Sequence, residues 1–504
     1  MTPEKRPLDG LRVAVIGLGV MGRGIARVFA AAGADVVGTD ATHELVAANS
    51  EHLAREVAQD GDLLVPRTVQ GLKECVSGAD VVVEVVSERP EIKSRLLTEL
   101  AELLEPGTML VTNTSSLSVS DLGRQYGRPA QVVGMHFFNP PTKMRLIEVV
   151  RGAETSDEIT ERALRLCEAL GKDGVLCDDS PGFIVNRCCR PLYYESQILF
   201  SQGVDPAVVD ALARRVLGHR MGPLETIDVA GLHTHLVASE SALREFGDPR
   251  YRPIPVVRRL VRAGFLGRST GRGFYDYASE TPGAGRARVS ITPQATPAEL
   301  VVVGPDAEQI RGVAIDSPHA DHVIVYRTSS ATVEDLRAIE SLRAKGPVVV
   351  DSSDGGWIEL LPSGVGWIHV HDRAGEVTVE VVDDDVAGIA PTPEMDGVVA
   401  ALGAVAVHVP AVPGLIVDRL GHALVNEACA LVAEGIAEAR GVDAALVLGM
   451  NHARGPFAYM EEMGPERILH GLRRLQHITG DDRYRPSPHL IRLASAIRRK
   501  NAQA

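Results

Sequence analysis

Three groups of residues in this chain have the types and spacing to do chemistry. The first is Gly17-Leu18-Gly19-Val20-Met21-Gly22, which follows the apolar run LRVAVIG (11–17) and opens a helical pattern. Gly17 permits a tight turn, Gly19 lets backbone approach a pyrophosphate, and Gly22 lets the helix pack close to the strand. The helix N-terminus, around Val20 and Met21, then faces the phosphates. Asp40 ends the next apolar run, ADVVGTD (34–40), where a carboxylate accepts hydrogen bonds from adenosine ribose hydroxyls. A carboxylate there repels a 2′-phosphate, and no Arg or Lys occurs in the following dozen residues. The loop therefore predicts NAD rather than NADP.

The second group is Met135-His136-Phe137-Phe138-Asn139-Pro140, with Glu148 twelve residues later in LIEVV. Oxidising an alcohol needs a base for the hydroxyl proton while hydride leaves, and histidine titrates near neutrality. A carboxylate partner fixes its tautomer and stabilises the imidazolium. A lone histidine after a strand is more often structural, so the weight rests on its place in a nucleotide-binding sheet. The third group is polar: Asn113-Thr114-Ser115-Ser116 at a strand end, and Asn186 in SPGFIVNR (180–187). The plainer readings are a helix cap for Ser116 and a buried junction residue for Asn186.

The elements that must position these groups alternate strand and helix. Strands are expected at 11–17, 34–40, 79–86, 107–113, 131–138 and 145–152. Several are apolar throughout, as in a sheet covered on both faces. From about Ser180 the spacing becomes helical. The expected fold is α/β: a Rossmann-type, doubly wound, largely parallel sheet in 1–180 and an all-helical domain in 181–280. A Gly- and Pro-rich linker (281–297) follows, then a degenerate α/β domain in 298–390 and a second helical domain in 391–504.

The second half repeats the first. SPGFIVNR (180–187) returns as VPGLIVDR (412–419), EALGKDGV (168–175) as AALGAVAV (400–407), and FGDPRYRP (246–253) as TGDDRYRP (479–486). The offset is 232 or 233 throughout, which marks an internal duplication. Aligning Gly134 with Gly366 places His136 on Ile368, Glu148 on Glu380 and Asn186 on Asp418, and puts His369 on the opposite strand face. Within LVVVGPDAEQ (300–309) a single glycine remains, so the second copy is expected to lack both base and cofactor.

Bulk properties bound the function. The 504 residues exceed one ordinary core, and 45% hydrophobic with 23% charged residues is a soluble composition. A net charge of −14 argues against nucleic acid. No apolar run reaches membrane-spanning length, and MTPEKRPLDG has no export core, so a cytoplasmic protein is expected. Six scattered cysteines suit free thiols.

In GLGVMGRG, EVVSERPEIK, TNTSSLS, GMHFFNPP, LIEVV, DSPGFIVNR, GPLETID and GRSTGRGFYDY the chain resembles the L-3-hydroxyacyl-CoA dehydrogenase family over residues 11–277. The two-half layout is similar to that of its long bacterial members. The resemblance implies an NAD-dependent oxidation of a 3-hydroxyacyl thioester, of fatty-acid or aromatic-acid β-oxidation type. By motif position His136 is the base, Glu148 its partner, and Ser115 and Asn186 hold the substrate. Glu88, Lys93 and Asn113 line the nicotinamide side. The insert after Asp40 is shorter than the family's basic helical hairpin and carries two Arg, no Lys and several acidic residues, which leaves CoA or an acyl carrier protein open as the thioester's carrier. Related dehydrogenases of free acids use a lysine in the helical domain, and this chain has almost none there. A catalytically silent dinucleotide-binding scaffold is the non-enzymatic alternative. Short members pair through the helical domain, so a pseudo-dimeric monomer or a homodimer is expected.

Overall fold

The computed structural model describes residues 6–60, 65–278, 289–290, 296–307 and 322–501. It divides into two compact units, Met1–Arg187 with Leu431–Asn451, and Cys188–Ala430 with His452–Ala504. Most of the linker 281–297, and positions 308–309 of the second glycine stretch, lie outside the described residues.

The first unit is built on eight strands: β1 (Arg12–Ile16), β2 (Asp35–Thr39), β3 (Arg67–Thr68), β4 (Val81–Glu84), β5 (Met109–Thr112), β6 (Val132–Phe137), β7 (Leu146–Arg151) and β8 (Asp173–Asp178). Their order is β3-β2-β1-β4-β5-β6-β7-β8. Pairing is parallel except for β6 and β7, which run antiparallel with His136 directly opposite Glu148. β4, β5 and β6 are buried along their whole length and β1 from Val13 on, as their apolar runs require. Among the described residues one helix, His43–Asp60, stands between β2 and β3. The helix Ala439–Met450, from the far end of the sequence, also belongs to this unit. It lies against β7 and β8: Gly441 meets Val175, and a Cβ on Gly449 would sit 2.7 Å from Leu146 and 3.5 Å from Phe138.

The second unit holds a seven-stranded sheet ordered β10-β11-β12-β13-β14-β15-β9. The strands are β9 (Val289–Ser290), β10 (Glu299–Val303), β11 (His322–Arg327), β12 (Val348–Asp351), β13 (Gly366–Arg373), β14 (Glu376–Val382) and β15 (Val405–Val409). Two expected boundaries are corrected here. Helix Pro393–Ala401 packs on this sheet and β15 pairs with β14, so the α/β part runs to about Val409 rather than 390. The reason is local: 400–407 repeats 168–175, which in the first copy runs from a helix end into β8. In addition, the linker contributes β9 as an edge partner of β15.

The register is a further correction. His369, not Ile368, stands opposite Glu380. Ile368 points into the apolar core of the lobe. Val370 N–H donates to Asp351 Oδ1 as Phe137 N–H donates to Asn113 Oδ1. His369 therefore occupies the position of His136, and the histidine is retained. His369 and Glu380 are 11 positions apart where His136 and Glu148 are 12, so the second hairpin is one residue shorter, which the glycine alignment hid.

The duplication shows in conformation too. Gly182 and Phe183 have φ of 78° and 50°, and their counterparts Gly414 and Leu415 have 78° and 46°. Within the second unit the two helical repeats meet each other. His219 stacks on its counterpart His452 at 3.8 Å. Tyr251 donates to Glu427 at 2.5 Å and its counterpart Tyr484 to Glu195 at 3.1 Å. Buried Arg419 pairs with Glu195 at 2.9 Å. Among the described residues no helix is long and apolar enough to cross a membrane.

Candidate active site

The glycine loop has the shape its sequence requires. Gly17 has φ +95°, and a Cβ there would lie 2.7 Å from the carbonyl oxygen of Val85. A Cβ on Gly22 would lie 1.8 Å from the Gly17 oxygen, while Gly19 has nothing within 4 Å. Open space at Gly19, before the helix Val20–Ala31 with no side-chain cap, leaves backbone N–H groups for an anion. Val20 is exposed beside it and Met21 is half-buried. Asp40 closes the loop from the end of β2: Oδ2 accepts from Leu18 N at 2.9 Å and from Asn49 at 3.0 Å. Arg23 ties the loop to the next helix, donating to Leu18 O at 3.1 Å and Asn49 at 2.9 Å. A loop with open space at Gly19, an uncapped helix start and a carboxylate held in place fits the adenosine diphosphate half of a dinucleotide.

At the ends of β4 and β5 a carboxylate gathers the turn. Glu88 Oε1 accepts from Ser115 N at 2.8 Å, and from the amide and hydroxyl of Ser116 at 3.1 Å each. Burial pushes the Glu88 carboxyl up, but Lys93, Thr114 and these amides outweigh it and hold it below the usual range. Ser115 is exposed here. Ser116 does not cap the following helix; Ser118 does, accepting from Asp121 N. Lys93 is placed differently from the expectation. Its ammonium is fully buried, 2.8 Å from both oxygens of Glu84 and 3.3 Å from Glu88, so it stands behind Glu88 rather than lining a cofactor surface. A charge inside VVVEVV must be paired when that strand is buried, and Lys93 with Thr112 does this. Glu84, in that apolar run, was the signal for the pair, and the sequence reading passed it over.

His136 and Glu148 form the centre. Nδ1 of His136 is 2.6 Å from Glu148 Oε2, with Glu148 fully buried and His136 nearly so. The other oxygen, Oε1, accepts from Ile184 N at 3.1 Å and Val185 N at 2.8 Å, at the start of the helix Val185–Ser201. With Nδ1–H donated to Glu148, Nε2 of His136 carries the lone pair able to take a proton. The rings of Phe138 and Phe183 lie 4.6 and 5.8 Å from the imidazole. Asn113 uses its carbonyl oxygen on Phe137 N at 2.9 Å and so fixes the strand that carries His136. Asn186 is half-buried in the first turn of the helix whose amides hold Glu148. Phe183 and the Gly449 wall were not singled out from the sequence; packing between distant segments leaves no local pattern.

Family comparison agrees with this geometry. Residues 12–180 match the NAD-binding domain of 3-hydroxyacyl-CoA dehydrogenase, and residues 182–277 and 414–504 each fall within its C-terminal domain. A 3-hydroxyadipyl-CoA dehydrogenase of Escherichia coli is 32% identical over 94% of this chain and 95% of its own. A probable 3-hydroxybutyryl-CoA dehydrogenase of Deinococcus radiodurans is 38% identical over 53% of this chain and all of its own. The crystal structure of a 3-hydroxybutyryl-CoA dehydrogenase from Escherichia coli superposes with a TM-score of 0.79 at 31% identity, covering 97% of this chain and 99% of that one. With its glycine loop, its His–Glu pair and a match along nearly the whole length, the chain belongs to the 3-hydroxyacyl-CoA dehydrogenase family and is an NAD-dependent dehydrogenase.

Proposed function

We propose that this enzyme interconverts an (S)-3-hydroxyacyl-CoA and its 3-ketoacyl-CoA through a single site in the first unit. The observation that carries the reading is the buried His136–Glu148 pair, with the second carboxylate oxygen on helix-start amides. His136 Nε2 takes the proton of the C3 hydroxyl as the C3–H bond gives up hydride. Glu148 holds the tautomer and offsets the charge of the imidazolium. Ser115 and Asn186 orient the hydroxyl and the thioester carbonyl. NAD, when bound, would supply the hydride acceptor; Gly17, Gly19 and Gly22 would hold its diphosphate and Asp40 its ribose. Glu88 and Asn113 shape the nicotinamide side, with Lys93 positioning Glu88. CoA as the carrier follows the named substrates of the relatives. We read the chain as carrying its own pseudo-dimer, because its two helical repeats pair with each other, and as a cytoplasmic enzyme.

The test is NADH formation from 3-hydroxybutyryl-CoA, a longer homologue, the same acyl group on an acyl carrier protein, and the free acid. Turnover is expected with the CoA esters. Preference for the carrier-protein thioester or for the free acid would overturn the substrate class.

A further inference from the structure

The second unit concentrates buried ionisable groups around a cavity of about 350 Å³ at the carboxyl ends of β11 and β12. This is where ligands collect in such sheets. A dinucleotide is not the ligand. Val303 and His322 are 19 positions apart, whereas Ile16 and Val81 of the first copy are separated by β2, a helix and β3. Too little chain remains for an adenosine-binding unit.

What the lobe retains is a set of metal-type donors. His369 and His371 are two apart on β13 and so project to one face. Each has one ring nitrogen on a buried carboxylate: His369 Nδ1 is 3.1 Å from Asp351 Oδ1, and His371 Nε2 is 2.7 Å from Glu380 Oε2. A carboxylate behind a histidine fixes its tautomer and leaves the other nitrogen as a lone pair, the arrangement that orients metal-bound imidazoles. From the helix Val417–Ala433 come Asp418 and His422, one turn apart. Ligand atoms of His369, His371 and Asp418 lie within 4.8 Å of one another, and all three residues are buried.

Two spacings point to a bound ion. His369 Nε2 and Asp418 Oδ2 are 3.6 Å apart, too far for a hydrogen bond. Two donors of a tetrahedral cation with bonds of about 2.0–2.1 Å are separated by roughly 3.3 Å. Asp418 Oδ1 and both ring nitrogens of His422 are buried without a hydrogen-bond partner among the described residues, and His422 Nε2 is 4.0 Å from Asp418 Oδ2. Gly471 allows this: a Cβ there would lie 2.7 Å from His422 Nδ1.

We propose that His369, His371 and Asp418 hold one divalent transition cation of the Zn²⁺ or Co²⁺ class. Imidazole nitrogens with one carboxylate suit these ions over Mg²⁺ or Ca²⁺. The ion links β13 to the helix Val417–Ala433 in the lobe that has no cofactor loop. Arg467 is its internal competitor. Its Nη2 is 3.1 Å from His369 Nε2 and 3.5 Å from Asp418 Oδ2, between two of the donors. The adjoining cavity, which Arg467 lines, gives it room to withdraw.

The experiment uses the full chain, stripped with EDTA and dialysed, then titrated with Co²⁺ by visible absorption and with Zn²⁺ by calorimetry. One ion per chain is expected. His369→Gln and Asp418→Asn should weaken binding by roughly 100-fold or more. Arg467→Met should tighten it by about tenfold, because it removes a competing cation. All three variants should keep wild-type NADH-forming turnover, which shows that the first unit is intact. If wild type and Arg467→Met take up no more Co²⁺ than the His369→Gln/Asp418→Asn double variant, no such site exists.

Discussion

Both lobes place a histidine opposite a glutamate on an antiparallel strand pair, His136 with Glu148 and His369 with Glu380. Only the first pair is joined. In the second lobe Asp351 stands where the first has Asn113, and it draws Nδ1 of His369. His371 stands where the first has Phe138, and it takes the oxygen of Glu380 that Glu148 gives to His136. Glu380 keeps its other bond, to Ile416 N, as Glu148 keeps Ile184 N. The scaffold persisted while two side-chain exchanges redirected the hydrogen bonds. A base is thus a property of the partners around a histidine, and a histidine at the right position is not enough.

The comparison breaks most severely if the two halves are independent. Ending the chain at Tyr277 removes the helix Ala439–Met450 from the first unit and the second helical repeat from the first. The shortened protein should aggregate or dimerise through the exposed apolar face, which light scattering reads. A fully active monomer would show that the second half covers nothing the first half needs.

Gly449 sharpens the same point at one atom. Gly449→Leu should push on Leu146 and Phe138, the latter packed on His136, and lower kcat roughly 10- to 100-fold. An unchanged kcat would remove the second half from the first site.

Much of the first lobe was legible because its signals are local. Gly17, Gly19, Gly22 and Asp40 lie on one turn and the strand after it, and HFFNP with LIEVV spans a single strand pair. The His369 register was not legible: the second hairpin is one residue shorter, a missing residue can be placed at several points without changing the apolar pattern, and only the ladder decides. Lys93 was misplaced because a buried ion pair with Glu84 reads like any charged helix face until the strand behind it is known. The seat of the helix Ala439–Met450 on β7 and β8 depends on residues some 260 to 300 positions away, beyond the reach of periodicity.

A smaller effect separates the cofactor loop from its eroded counterpart at Gly304. Asp40→Ala should raise the KM for NAD by about tenfold or more and that for NADP little, since the lost bonds are to a charged acceptor. A wild type that prefers NADP would contradict the assignment of Asp40.

The smallest effect is on stability against pH. Burial holds His219 and His235 well below the ordinary histidine range and lowers His452 to about 4, all in the second unit. Unfolded, these residues bind protons below about pH 6.5, while the folded ones stay neutral. Stability is therefore present above that pH and is lost as pH falls from about 6.5 toward 4. Calorimetry at pH 7.5 and 5 should show a Tm several degrees lower at pH 5. A transition that does not move would mean that these histidines are protonated in the folded chain.

The difference between the lobes is tested most directly by paired histidine variants in one assay. NADH formation from 3-hydroxybutyryl-CoA is measured for His136→Gln and His369→Gln beside wild type, with NADH binding as a control for folding. His136→Gln should lower turnover by about two to four orders of magnitude with binding kept, and His369→Gln should leave both unchanged. Near-normal turnover in His136→Gln, or its loss in His369→Gln, would contradict a single working site in the first lobe.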